Sequence, residues 1–144
     1  MALSQIGSKV SVKISIASGD TVEDWQGWAR EQNRFVQRTT SVINSTTDLI
    51  EVQKLADDST RIYGLLIAVR GDATKLIGTV LIQAADITVA GPAGDAAVSA
   101  NDIVVGRGIK GSSTGSLVVV NGGPGGFGQV LGGTQEALRV QFGY

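Results

Sequence analysis

The sequence predicts a mainly β fold, a single jelly-roll-like sandwich or barrel, and three observations carry that expectation. Residues 9–16 alternate strictly, with Val10, Val12, Ile14 and Ile16 on one side and Ser11, Lys13 and Ser15 on the other. That is the period-two pattern of a half-buried strand. Further short apolar or β-branched runs follow at 49–55, 61–69, 76–83, 87–90, 102–105, 116–120 and 138–142. Turn chemistry separates them at Asp57-Asp58-Ser59, Gly71-Asp72, Gly91-Pro92-Ala93-Gly94, Asn101-Asp102 and Asn121-Gly122-Gly123. Finally, no regular alternation of strands with helices runs along the chain, so a doubly wound parallel sheet is not expected.

Ahead of the first strand, residues 1–8 read as an N-terminal arm, one of two extended termini. After that strand, Asp20 and Glu23 have the D-x-x-E spacing of a capping box. At 100° per residue Val22, Trp25, Ala29 and Val36 share one face, flanked by Trp28 and Phe35. This spacing predicts one amphipathic helix from Thr21 to about Val36, weakened by about 1 kcal/mol at Gly27. The β-branched cluster Thr39, Thr40, Val42 and Ile43 then begins an extended stretch. Residues 62–69, 76–82 and 117–120 are apolar on both faces, as in strands buried from two sides. At the C-terminus Leu138, Val140, Phe142 and Tyr144 alternate with Arg139, Gln141 and Gly143, a one-sided strand.

The length of 144 residues suits one domain, 1–144, and a hydrophobic content of 42% excludes a disordered chain. No apolar run approaches the roughly 18–20 residues of a membrane helix, so no membrane association is expected. The opening MALSQIGSKV lacks the basic and apolar segments of a secretory signal, and synthesis in the cytoplasm is expected. With no Cys and no His, disulfides, thiolate nucleophiles, imidazole ligands and the usual triad base are absent. No catalytic residue, cofactor, metal site or small-molecule substrate is therefore expected. Residues 1–90 carry 9 Lys and Arg against 10 Asp and Glu, and residues 91–144 carry 3 against 3. Neither part has the basic excess that drives nucleic-acid binding, and Arg30, Arg34 and Arg38, lying near Glu23, Asp24 and Glu31, read as a solvated face.

Several motifs lose their chemistry on inspection. Gly106, Gly108 and Gly111, and again Gly123, Gly125 and Gly128, match G-x-G-x-x-G, but no helix follows either run and no acidic residue sits where a ribose would need it. Arg70-Gly71-Asp72 lies between two apolar strands and reads as a hairpin turn. The carboxylates Glu23/Asp24, Asp57/Asp58 and Asp95/Asp102 have no calcium-loop spacing. Trp25 and Trp28 have two readings, core of the domain or anchors of an interface. Phe127, Phe142 and Tyr144 complete the candidate interface residues.

The last third is different in tone. Residues 91–144 hold 14 of the 20 glycines but 6 of the 25 charged residues, so this region is either buried or covered by a partner. Within it, residues 121–133 are a Gly-rich loop or an arm that orders against a neighbour. The stretch Ala97-Val98-Ser99-Ala100-Asn101-Asp102-Ile103-Val104-Val105-Gly106 resembles the turn-and-strand of phage head decoration (capsid-stabilising, or cement) proteins, with Asn101 where that pattern prefers Gly. The resemblance implies a virion structural protein that self-associates, as a homotrimer or other oligomer, on the outside of an icosahedral shell and clamps its major capsid protein. Residues 1–7 and 121–144 would make those contacts. Other phage structural subunits (tail-tube, head-completion or minor coat) and a carbohydrate-binding β-sandwich module stand as alternatives.

Overall fold

The computed structural model describes residues 7–30, 34–39, 49–56, 62–90, 103–111, 117–119, 127–134 and 137–143. Seven strands form one sheet in the order β1 (Gly7–Ile14), β3 (Glu51–Lys54), β2 (Phe35–Arg38), β4 (Ile62–Gly71), β5 (Leu76–Ala90), β9 (Ala137–Phe142) and β8 (Gly128–Gly133). Because β1 also pairs antiparallel with β5, the first five strands close on themselves. The fold is mainly β, with a closed five-stranded barrel and one short helix, α1 (Val22–Arg30). Of the sandwich and the barrel left open by the sequence, these pairings close the barrel. Its one parallel pairing is β1 with β3, at Lys13↔Glu51 and Ile14↔Val52. β6 (Ile109–Gly111) and β7 (Leu117–Val119) pair as a separate two-stranded ribbon.

Alternation along the strands creates two cores. Val12, Ile14, Val36, Val52, Leu66, Leu76 and Val80 fill the barrel, and Trp25 of α1 packs into the same cluster. A second cluster forms on the outer side of the barrel. There Phe35, Leu65, Leu81 and Ala84 meet Val130, Leu138, Val140 and Phe142 of β8 and β9, together with Ile109, Leu117 and Val119 of the ribbon. Consecutive residues therefore serve different cores: Phe35 and Val36 are both 0% exposed, one in each cluster. This is why 62–69 and 76–82 are apolar on both faces, as expected for strands buried from two sides.

The helix differs from the expectation. It spans nine residues, and Phe35–Arg38 is a strand paired with β3 and β4. A helical face would have buried only one side of the Phe35-Val36 pair, whereas a strand gives one side chain to each core. Its cap is also shifted by one residue. The Asp24 amide donates to Thr21 Oγ1 at 3.1 Å and the Thr21 amide donates to Asp24 Oδ2 at 2.9 Å, while Asp20 instead pairs with Lys54 at 3.4 Å. From the helix, the Trp28 indole N–H donates to the Phe35 carbonyl at 3.1 Å and ties α1 to β2.

Other boundaries moved for similar reasons. The runs expected at 76–83 and 87–90 form one strand of 15 residues, whose register with β9 shifts between Ala84 and Ile87. A bulge lets one strand change partners without ending. The strand expected at 102–105 is not formed over its described part: Arg107 N–H donates to the Val104 carbonyl at 3.1 Å and Gly106 has φ 91°, a type II turn. The Gly-rich stretch expected as a loop contains β8 over Gly128–Gly133, paired with β9. The turns expected at 57–59, 91–94, 101–102 and 121–123 lie outside the described residues, as do 1–6 of the N-terminal arm, and Gly7 already pairs with Ala84 in β1.

Candidate functional site

The candidate interface residues divide by burial. Trp25 and Phe142 are 0% exposed, so in this fold both are core. Phe142 stacks on Phe127 with centroids 4.8 Å apart and meets Phe35 edge-on at 5.8 Å. Phe127 is half-buried against the same cluster, and Tyr144 lies outside the described residues. Trp28 is half-buried against the barrel cluster. Lys54 Nζ lies 5.0 Å from its ring centroid and 5.6 Å from that of Trp25, and the Arg34 guanidinium lies 5.4 Å from Trp28. These cations cover the indoles with cation–π contacts, and Asp20 fixes Lys54 from the other side. The Trp25 indole N–H within this cluster is buried without a hydrogen-bond partner.

The glycine motif at Gly106, Gly108 and Gly111 takes up structural work. Gly106 N–H donates to the Val130 carbonyl at 2.9 Å, and Val130 N–H to the Arg107 carbonyl at 2.8 Å. Gly108 bridges to Gln129, and Gly111 ends β6. These bonds dress the edge of β8, which would otherwise present unpaired backbone groups. The turn thereby holds Val104 and Val105 outward, at 44% and 70% exposure, the two large apolar side chains exposed among the described residues. Of the second motif, Gly128 begins β8 and Gly123 and Gly125 lie outside the described residues.

Away from the covered side, the barrel has an open outer face. On β5, Gly78 and Val80 point into the barrel, so Ile77, Thr79 and Leu81 point out of it. Leu81 lies beneath the C-terminal strands, whereas Ile77 has Lys13 of β1 opposite it on one side and Arg70 of β4 on the other. Glu51 of β3 continues the row, with an oxygen 3.9 Å from Lys13 Nζ. The β4–β5 turn supplies Thr74 and Lys75, and Ser11 and Leu49 complete an open groove of about 690 Å³. The turn is rigid because Asp72 Oδ1 accepts from the amides of Thr74 at 2.9 Å and Lys75 at 3.1 Å. Arg70-Gly71-Asp72 is thus the hairpin expected, with Gly71 at φ 108°. Sequence reading found this turn but missed the groove, since Lys13, Arg70 and Lys75 come together only through barrel closure.

The remaining titrating groups are ordinary in role. Asp24 is held below 3.8 chiefly by the Thr21 backbone amide and then by the Thr21 hydroxyl. Asp86 is lowered by its hydrogen bond from Arg139, and burial raises the Tyr63 phenol. Of the carboxylate pairs weighed in the sequence, Glu23 and Asp24 are exposed on the first helical turn, and Asp57, Asp58, Asp95 and Asp102 lie outside the described residues. No protein-family model matches the sequence, and neither a curated protein nor a solved structure is found similar to it.

Proposed function

We propose that the chain is a non-enzymatic structural subunit of the phage head decoration kind, which self-associates and seats on the outside of a protein shell. The observation that carries this reading is the turn Val104–Arg107. Its Val104–Gly106 end the stretch whose sequence resembles decoration proteins, as a turn and not the strand of that pattern, and hydrogen bonds to β8 hold its two valines out in water. Apolar area kept exposed on a braced turn gains stability only when covered, at roughly 25 cal/mol per Å². A second copy is the occupant we propose, with the shell's major capsid protein meeting the resulting oligomer.

Light scattering on a sizing column tests this: the reading expects a multiple of 14.8 kDa, with a trimer favoured, and a shift toward monomer in V104S/V105S. A wild-type monomer at high concentration would sink self-association through this turn. Of the segments expected as clamps, Gly7 belongs to β1 and 128–142 hold β8 and β9 of the chain's own sheet, which leaves residues 1–6 as the arm of this reading.

A second reading has one observation of its own. The cyclic order β1-β3-β2-β4-β5, with one parallel pair and a helix between β1 and β2, is the pairing order of a circularly permuted OB-type barrel. Such barrels carry oligonucleotides or oligosaccharides on an outer face, although shared fold does not assign function. Saturable binding of oligothymidylate would favour that reading over the first.

A further inference from the structure

We infer that the open groove beside the β4–β5 turn takes an extended acidic peptide segment of the partner assembly. The inference rests on the structural-subunit reading and adds where, and by what chemistry, the partner is held. Its first support is the row Lys13–Ile77–Arg70 across three neighbouring strands. With strands about 4.8 Å apart, the two cationic residues stand roughly 10 Å from each other across an apolar centre. Carboxylates on one side of an extended peptide, four residues apart, are about 13 Å apart, which two long, outward-leaning side chains can meet.

Charge supplies the second support. Lys13 already has Glu51 as a partner, but Arg70 and Lys75 have no ion-pair partner among the described residues. Asp72, the nearest carboxylate in sequence, turns Oδ1 onto the amides of its own turn. Ser11 and Thr74 add hydroxyl groups able to donate to a carboxylate or to a peptide carbonyl. The groove is therefore a short cationic strip, complementary to a few carboxylates.

Nucleic acid fits it less well. None of the seven lining residues is aromatic, so bases would find no stacking platform. Glu51 stands at the end of the row, where a continuing phosphate backbone would meet repulsion. A protein segment can place a neutral residue there.

The test uses the full chain in low salt, followed by amide NMR. The probe is a capped heptapeptide of serines with glutamate, valine and glutamate at its second, fourth and sixth positions. Its glutamine counterpart and a dodecamer of thymidylate are the comparison arms. Expected are saturable shifts confined to Ser11, Lys13, Arg70, Thr74, Lys75 and Ile77, absent with the glutamine peptide. Affinity should fall severalfold at physiological salt and about tenfold or more in R70E/K75E. R70Q/K75Q provides a milder variant should charge reversal alter folding, with thermal melting as the check.

Unchanged binding in the melting-competent variants, scattered shifts, or tighter binding of thymidylate would each overturn the inference. Shell attachment that survives R70E/K75E would reject the groove while leaving the subunit reading standing. Failure of wild type to self-associate or attach at all would reject the reading itself.

Discussion

Strand β5 runs under two different exteriors. At Leu81 the outward side chain is sealed beneath β8, β9 and the ribbon, whereas four residues earlier Ile77, 8% exposed, is the floor of an open groove whose rim is Lys13 and Arg70. The strand, the barrel and the outward direction are the same; what differs is the supply of apolar partners. Residues 103–143 provide Val130, Leu138, Val140 and Phe142 for the first exterior, so the chain covers that face itself. For the second, β1 and β4 offer a lysine and an arginine, whose charged ends keep the face polar. The described strands of the last third turn their apolar side chains onto their own barrel.

If that contrast is right, breaking the covered face should be far costlier than changing the open one. Phe142→Ala removes the ring packed between Phe35 and Phe127 and should destabilise the chain by about 3–5 kcal/mol. Denaturant melts measure it, and a loss near 1 kcal/mol would mean that the C-terminal layer is only loosely applied. The barrel interior offers a smaller, sharper probe. A Cβ on Gly78 would approach Leu66 Cδ1 to 2.8 Å and Ile14 Cδ1 to 3.1 Å, so Gly78→Ala should cost about 1–3 kcal/mol by overpacking. Stabilisation by that substitution would show that the barrel holds spare volume there.

Smallest is the helix cap. Thr21→Ala should cost about 1 kcal/mol. Asp24→Asn should add a pH signature, because the carboxyl is lowered in the folded state. A depressed carboxyl stabilises the fold above its unfolded value of 3.8, and the benefit fades as pH falls through the folded value. Wild type and Asp24→Asn should therefore differ in Tm at neutral pH and converge in acid. A difference that persisted in acid would assign the effect to packing.

The strands with strong alternation were legible in the residues. Val10, Val12 and Ile14 marked β1, which ends before the expected Ile16, and the doubly apolar runs marked β4 and β5 as strands buried from two sides. What escaped depended on tertiary pairing. Phe35 and Val36 satisfy a helical period as well as a strand's, and only the presence of two cores decides between them. Gly128–Gly133 has almost no pattern of its own, and pairing with β9 makes it a strand. Likewise Trp25 and Phe142 were visible as anchors, but whether an aromatic is core or interface depends on what folds over it. The groove was illegible because its cations are far apart in sequence, on β1, on β4 and in the turn that follows. Closure of β1 onto β5 brings them together.

One exterior of the barrel is thus covered by the chain itself and the other is open. Since the sequence contains no cysteine, single thiols report this cleanly. Ser11→Cys would sit on the open face and Val130→Cys, at a position 0% exposed, beneath the covered one. Maleimide labelling of the native protein should be immediate for Ser11→Cys, and for Val130→Cys should occur only at the rate of unfolding measured in parallel. Equal, rapid labelling at both positions, in variants that still melt cooperatively, would contradict the claim.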